Sequence, residues 1–107
     1  MNPEISTREL SALLADPATA PLLLDVREAW EWNIVHIEGS VHLPMNLIPI
    51  RHNELPDDQL IVAICHHGVR SLQVCHFLRQ AGFDKVVSLN GGIDAWSATV
   101  DPSLPRY

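Results

Sequence analysis

Apolar residues occur along the chain in short runs that are separated by amphipathic stretches. Continuous apolar runs bounded by turn residues are typical of strands that are covered on both faces of a sheet. The predicted strands are Pro21–Val26, Val41–Leu43, Leu60–Ile64 and Lys85–Leu89. The strongest pattern is that of Leu60–Ile64, because its five consecutive apolar residues lead directly into Cys65.

The stretches between these runs predict short helices. Ser6 and Glu9 have the spacing of a capping box, which predicts a helix of about two turns with leucines on its inner face. A longer helix is predicted from Val69 or Arg70 to Ala81, and Gly82 follows where a left-handed residue often ends a helix. Further helices are predicted over Arg27–Asn33, with Trp30 facing inward, over Leu47–His52, and after Asn90-Gly91-Gly92.

Alternating strands and helices predict an α/β fold with a mainly parallel sheet between helical layers. Ligand sites in such folds gather at the carboxyl ends of the strands. Cys65 is at such an end, and the residues HHGVR must then turn the chain into a helix. Gly68 permits backbone conformations that other residues resist, and successive amides in such a turn can point inward.

The loop after Cys65 therefore has the features of an anion site. Unpaired N–H groups and the positive dipole end of the helix that begins near Arg70 favour negative charge. Such surroundings stabilise a thiolate and also an anion attached to its sulfur. Cys65 is predicted to be a nucleophile rather than a buried cysteine that only fills space.

Three segments resemble the rhodanese-like domain family. Residues Leu23–Pro44 contain Asp-Val-Arg, then His-Ile-x-Gly and a following proline, as in the family. The sequence CHHGVRS, Cys65–Ser71, resembles its active-site loop, and VVSLNGGIDAW, Val86–Trp96, resembles its closing strand with Gly-Gly and a tryptophan. The three motifs occur in the family's order between about Ile5 and Trp96, and their combination is specific.

This resemblance implies a three-layer α/β sandwich around a five-stranded, mainly parallel sheet, and sulfurtransferase activity. Cys65 matches the family nucleophile, whose thiolate would attack the outer sulfur of an anionic donor such as thiosulfate, release sulfite and become a persulfide. A thiophilic acceptor, such as cyanide, a thiol or a protein, would then take the sulfur. Loop amides would hold the persulfide, and neither a metal nor an organic cofactor is required. The loop residues are His66, His67, Gly68, Val69, Arg70 and Ser71.

Two other functions remain open on the sequence. Cysteine phosphatases and arsenate reductases place one more residue between their Cys and Arg than the four that Cys65 and Arg70 enclose. The smaller loop suits one sulfur atom better than a phosphoryl group. A rhodanese-like module that binds or regulates a partner is the other alternative, although silent members of the family typically lack the loop cysteine.

The roles of the neighbouring side chains also stay open. His66 and His67 would aid proton transfer or bias the loop positive, but are preferably interpreted as facing solvent or bracing the loop. Arg70 is either an anion contact or a structural partner of a carboxylate beneath the loop. Cys75 is on the apolar stripe of its helix, so core packing is favoured over a role as a resolving thiol.

Other polar residues of this region are interpreted as structural. Asp25 and Arg27 lie at the end of an inner strand near the same edge, and an ion pair or loop-bracing bonds are favoured over catalysis. The histidines and cysteines around Cys65 do not predict a metal site, because adjacent residues of a tight loop tend to diverge. Structural zinc, moreover, usually has paired ligand knuckles.

Composition and charge limit the binding partners and the cellular location that the sequence predicts. A chain of 107 residues with 47% hydrophobic and 19% charged residues has the size and make-up of one domain, predicted over 1–107 with its core at about 5–97 and a C-terminal tail at 98–107. The net charge of −6, from 13 acidic and 7 basic residues, argues against nucleic acid or an anionic membrane as partner. Without a signal peptide or a membrane-length apolar run, a cytoplasmic location is expected.

Overall fold

A five-stranded sheet between helical layers organises the chain, and the computed structural model describes residues 2–107 of it. Met1, the first residue of the predicted domain, lies outside this range. The strands are β1 (Glu4–Ile5), β2 (Leu22–Asp25), β3 (Val41–His42), β4 (Ile61–Ile64) and β5 (Val86–Leu89). The helices are α1 (Thr7–Leu14), α2 (Ala29–Ile34), α3 (Ile48–Arg51), α4 (Val69–Gln80) and α5 (Gly92–Thr99), with 3-10 turns at Met45–Leu47 and His52–Glu54 on either side of α3.

Strand order places β4 at the centre of the sheet. The order is β1-β5-β4-β2-β3, and every pairing is parallel. The register aligns Asp25 at the end of β2 with Ile64 at the end of β4. Cys65 therefore leaves the sheet beside Asp25, at the edge where all the carboxyl ends meet. The predicted fold class, an α/β sandwich with a five-stranded, mainly parallel sheet, is confirmed.

Two hydrophobic cores cover the two faces of the sheet, since successive side chains of a strand point to opposite faces. On one face the strand residues Leu24, Ala63 and Val86 pack against side chains of α3 and α4. On the other face Val62 and Val87 pack against side chains of α1 and α5. The central strands are therefore buried on both sides, which explains why they read as continuous apolar runs.

Local signals at the helix ends behave as the sequence indicates. Ser6 and Glu9 form the predicted capping box, with each side chain accepting the backbone N–H of the other at 3.0 to 3.1 Å. Helix α4 begins at Val69, and Gly82 follows it with a φ of +105°. Within residues 2–107 no helix combines the length and the apolarity needed to cross a membrane.

Four sequence expectations differ from the structure. Strand β1 was not predicted, because two residues of edge strand leave no apolar run. Trp30 does not face inward but is 57% exposed, and α2 buries Glu31 instead. Helix α2 also begins two residues later than predicted, because Arg27 pairs with Asp25 and lies outside it. The region predicted as a tail is packed, with Leu104 and Tyr107 lying against the second core.

Candidate active site

The thiol of Cys65 is buried where β4 ends. The residue is 1% exposed, and the loop 66–68 connects it to the first residue of α4. The predicted position of Cys65, at the carboxyl end of an inner strand and before a helix, is the position that the structure shows. A thiol at such a strand end is held rigidly by the sheet, whereas the residues that surround it come from a turn.

Two backbone amides point at the sulfur. The N–H of Gly68 donates to Cys65 Sγ at 3.0 Å, and the N–H of Ser71 donates at 3.3 Å. Gly68 has a φ of +103°, a conformation that L-residues rarely adopt, and this turn directs its N–H back toward Cys65. Of the six loop amides predicted to surround the sulfur, these are the two that contact the thiol within the described chain.

Helix α5 supports the loop from behind. Its N–H groups at Ile93 and Asp94 donate to the carbonyl oxygens of Cys65 and His66, at 2.9 and 3.1 Å. Because a trans peptide places its C=O and N–H on opposite sides, the next two N–H groups of the loop point away from α5. Gly92 makes this approach possible, since a Cβ there would collide with both carbonyl groups.

A chain of two buried hydroxyls extends from the sulfur into the sheet. Ser71 Oγ lies 3.3 Å from Cys65 Sγ and 2.7 Å from Ser88 Oγ, and both serines are fully buried. When the sulfur is a thiolate it can only accept, so Ser71 donates to it and Ser88 in turn donates to Ser71. Ser88 thereby stabilises negative charge on a sulfur that it does not touch.

Arg70 is engaged by a carboxylate of α2. Its guanidinium donates to both carboxylate oxygens of Glu31, at 2.6 and 2.9 Å, and Glu31 is 2% exposed. This bond to Arg70 is the main reason that the pKa of Glu31 is lowered to about 2, and the pKa of Arg70 is raised in return. The arrangement corresponds to the second interpretation of Arg70, as partner of a carboxylate, rather than to a direct anion contact.

A second buried ion pair lies beside the first. Arg27 is fully buried and donates to both carboxylate oxygens of Asp25, at 2.7 to 3.1 Å. It also donates to the hydroxyl of Tyr107 at 2.9 Å, and that hydroxyl donates to Glu31 at 2.6 Å. One hydrogen-bonded network thus runs from the end of β2 through the segment 101–107 to Arg70.

The two loop histidines are stacked rather than divergent. The His66 ring lies between those of His67 and Tyr107, with centroids 3.9 Å away on each side. Burial, followed by the nearby His67, lowers the pKa of His66. His67 is largely exposed and lies 3.8 Å from a carboxylate oxygen of Asp94. In these positions the rings brace the loop. In the described part of the chain, neither ring forms a hydrogen bond with Cys65 Sγ.

Three side chains that could bind a metal ion lie close together beside the loop. Donor atoms of His66, His67 and Asp94 lie within 4.8 Å of one another. Arg106, however, already donates to both oxygens of Asp94, at 2.9 and 3.0 Å. The two imidazoles also stack at 26° instead of converging on one point. Asp94 is therefore already paired, and we assign no metal to this group, in which His66 Nε2 is buried without a hydrogen-bond partner among the described residues.

The second cysteine is part of the core. Cys75 is fully buried on α4, and its thiol donates to the carbonyl oxygen of Val86 at 3.2 Å. Burial raises the pKa of this thiol, so it stays protonated. The geometry agrees with the interpretation of Cys75 as a packing residue.

The sequence did not predict the roles of three residues in this region. Ser88 occupies one position of an otherwise apolar strand, and a hydroxyl there was the available signal. Glu31 lies in a helix for which the sequence predicts Trp30, not Glu31, as the inward-facing residue. Tyr107 was placed in a tail, and nothing in its local sequence indicates a return to Arg27, which is 80 positions away.

Comparison with known proteins places the chain among relatives of this architecture. Residues 6–99 match the Rhodanese-like domain family. A sulfurtransferase of Allochromatium vinosum is 44% identical over 94 residues, which cover 88% of this chain and 87% of that protein. The thiosulfate sulfurtransferase GlpE of Tolumonas auensis is 30% identical over 92 residues, which cover 86% of this chain and 85% of that protein.

Solved structures agree with the sequence comparison. The crystal structure of a rhodanese-like domain protein from Staphylococcus aureus superimposes with a TM-score of 0.83 and 29% identity, covering 100% of this chain and 99% of that one. Other relatives are longer, and this chain spans about a quarter of their length. Fold and site define an α/β protein with a cysteine at the head of an amide-lined loop. The chain belongs to the rhodanese-like domain family, so the resemblance seen in the sequence is confirmed.

The hydroxyl chain predicts a measurable effect of Ser88. Replacing Ser88 by alanine removes the donor to Ser71, so a thiolate on Cys65 is less well stabilised. We expect Cys65 of this variant to be alkylated about threefold more slowly than Cys65 of the wild type at neutral pH. The alkylation profile over time is measured with iodoacetamide and site-resolved mass spectrometry. Ser97→Ala is the matched control, because Ser97 is a buried serine whose Oγ has no partner among the described residues. Equal profiles for the two variants would contradict the assignment.

The Glu31–Arg70 pair predicts a pH-dependent stability. The carboxyl pKa is about 2 in the folded protein and about 4.3 in an unfolded chain. A lowered pKa stabilises the fold above the unfolded value, and this contribution disappears as the pH falls from about 4.3 toward 2. We expect the free energy of unfolding of the wild type to exceed that of Glu31→Gln by about 1 to 3 kcal/mol at pH 7. The difference should shrink through that acidic window.

Urea denaturation between pH 7 and pH 2.5 measures this difference. Glu54→Gln serves as the control, because Glu54 pairs with Arg51 at an exposed position where an ion pair contributes little. A stability difference for Glu31→Gln that stays constant from pH 7 to pH 2.5 would show that the carboxylate charge is not what stabilises the fold.

Proposed function

We propose that this protein is a sulfurtransferase that carries sulfane sulfur as a persulfide on Cys65. The observation that supports the proposal most is the arrangement around Cys65 Sγ, which receives N–H groups from Gly68 and Ser71 and the hydroxyl of Ser71. Such donors stabilise a thiolate before the reaction and a persulfide anion after it. Membership of the rhodanese-like family and relatives that are named sulfurtransferases support the same activity.

The first half-reaction loads the sulfur. The thiolate of Cys65 attacks the outer sulfur of a donor such as thiosulfate, and a new S–S bond forms. The bond between the two donor sulfurs breaks, and sulfite leaves with its electron pair. The product, Cys65–S–S⁻, places the new sulfur about 2 Å beyond Sγ, where the loop amides that do not contact the thiol are available to it.

The second half-reaction unloads the sulfur. A nucleophile attacks the outer sulfur of the persulfide, and the S–S bond breaks with its electrons returning to Cys65. Cyanide would leave as thiocyanate, and a thiolate would leave as a persulfide. Because Cys65 is 1% exposed, the acceptor has to present a slender reactive group, such as a small ion or a thiol at the tip of a flexible segment.

Backbone amides supply the local positive field in this proposal. The net charge of the chain is −6, and the charge of Arg70 is neutralised by Glu31. The anion is therefore stabilised by fixed N–H dipoles and by the amino end of α4, which do not titrate. The same geometry argues against phosphate chemistry, because Arg70 is committed to Glu31 rather than directed into the loop.

The proposal predicts a specific covalent adduct. Incubation with thiosulfate in the absence of reductant should give a species one sulfur atom heavier by intact mass spectrometry, because the persulfide is the resting intermediate. Cyanide should remove that sulfur and release an equal amount of thiocyanate. Cys65→Ser should form no adduct, whereas the matched variant Cys75→Ser should form it as the wild type does.

Two results would count against this activity. A wild-type protein that stays unmodified by thiosulfate and by other sulfane sulfur donors would favour a binding or regulatory module. Rapid hydrolysis of an aryl phosphate ester that depends on Cys65 would favour a phosphatase.

A further inference from the structure

The segment 101–107 reaches both ends of the loop that follows Cys65. The ring of Tyr107 stacks on His66, the first loop residue, with centroids 3.9 Å apart and planes at 8°. The Tyr107 hydroxyl donates to Glu31 at 2.6 Å, and Glu31 holds Arg70 near the other end of the loop. One side chain thus restrains one end of the loop directly and the other end through a single carboxylate.

The position of the Tyr107 hydroxyl is itself fixed. Arg27 donates to it at 2.9 Å, and Arg27 is held by Asp25 at the end of β2. Burial, with Glu31 as the next cause, raises the pKa of Tyr107 to about 12. The phenol therefore keeps its proton at neutral pH and remains the donor to Glu31.

The segment is anchored to α5 as well. The N–H of Asp101 donates to the carbonyl oxygen of Trp96 at 3.0 Å, where the segment begins. Arg106 donates to both carboxylate oxygens of Asp94, at 2.9 and 3.0 Å. Asp94 is the residue whose N–H binds the carbonyl oxygen of His66, so Arg106 and Tyr107 act on the same end of the loop.

We propose that the segment 101–107 is a clasp that positions the sulfur-binding loop, with Tyr107 as its positioning residue. This inference rests on the proposed sulfur transfer. The loop amides stabilise a persulfide only while they keep their directions as a sulfur atom arrives and leaves. Tyr107 restrains His66 and Arg70. The amide of Gly68 lies between these two residues, and the amide of Ser71 follows Arg70 directly.

The first test compares sulfur transfer in variants of Tyr107. Tyr107→Ala removes both contacts, and we expect kcat/KM for thiosulfate with cyanide as acceptor to fall by about 10- to 100-fold. Tyr107→Phe keeps the stacked ring and loses the hydroxyl, so a loss of about threefold is expected. Leu14→Ala is the control, because Leu14 packs against the same core without contacting the loop. Its kcat/KM should stay within about twofold of the wild type.

A second readout follows the loop itself and does not depend on turnover. The pKa of His66 is lowered by burial and by His67, while Asp94, a hydrogen bond to the Tyr107 backbone and Glu31 oppose this shift. The backbone bond does not depend on the Tyr107 side chain. Removing the Tyr107 ring exposes His66, so its pKa, followed by NMR, should rise in Tyr107→Ala. It should stay near the wild-type value in Tyr107→Phe and in Leu14→Ala. A residue that merely stabilised the fold would leave this titration unchanged.

The outcomes separate the two proposals. A folded Tyr107→Ala variant with wild-type kcat/KM and an unshifted His66 titration overturns the clasp. If the alanine variant does not fold, a Tyr107→Phe variant with unchanged kcat/KM overturns the role of the hydroxyl. Failure of the proposed function appears in the wild type alone, as absence of the persulfide, whereas failure of the clasp appears only as absence of a difference between variants.

Discussion

The guanidinium of Arg27 is fully buried beneath the site. The partners that its charge requires determine much of the structure around it. An unpaired charge at the position of Arg27 would cost several kcal/mol, and the structure supplies two oxygens of Asp25 together with the hydroxyl of Tyr107. The chain bends at Arg27, whose N–H and guanidinium both donate to Asp25, and α2 begins only afterwards with Glu31 facing inward. The end of β2, the helix α2 and the segment 101–107 consequently meet at one point, next to the loop of Cys65.

The charges at this point are balanced in pairs, so backbone amides rather than cationic side chains are left to stabilise negative charge on the sulfur. Asp25 compensates Arg27, and Glu31 compensates Arg70, so no unpaired cation faces Cys65 from this network. Fixed amides differ from a mobile cationic side chain, because a sheet and two helices hold their directions. A tight loop of N–H groups can also surround a single atom more closely than a planar guanidinium can. An acidic chain can thus stabilise a small sulfur anion without a basic surface.

The sequence predicted those parts of the molecule that local patterns determine. Leu60–Ile64 was recognised because a strand covered on both faces has to be apolar throughout, and Gly68 because the turn after Cys65 requires a positive φ. Glu31 and Tyr107 were missed because their partners are distant in sequence and their own neighbours carry no signal of them. Ser88 carried one signal, a hydroxyl in an apolar strand, but its partner Ser71 is 17 positions away. Trp30 was placed inside because an aromatic residue is usually the buried one of a short helix, but here the buried position belongs to the carboxylate that Arg70 requires.

The same separation in sequence explains why the motif CHHGVRS is only part of the site. It contributes the thiol, its two donating amides and one hydroxyl. The donor behind that hydroxyl comes from β5, the carboxylate that holds Arg70 comes from α2, and Tyr107 reaches that carboxylate across 76 positions. Parallel strands join such distant segments by necessity, since each neighbour is reached through a crossover. The geometry around Cys65 is therefore a property of the completed sheet and its packed helices, and an isolated loop with the same sequence would have no reason to keep its amides directed at the sulfur.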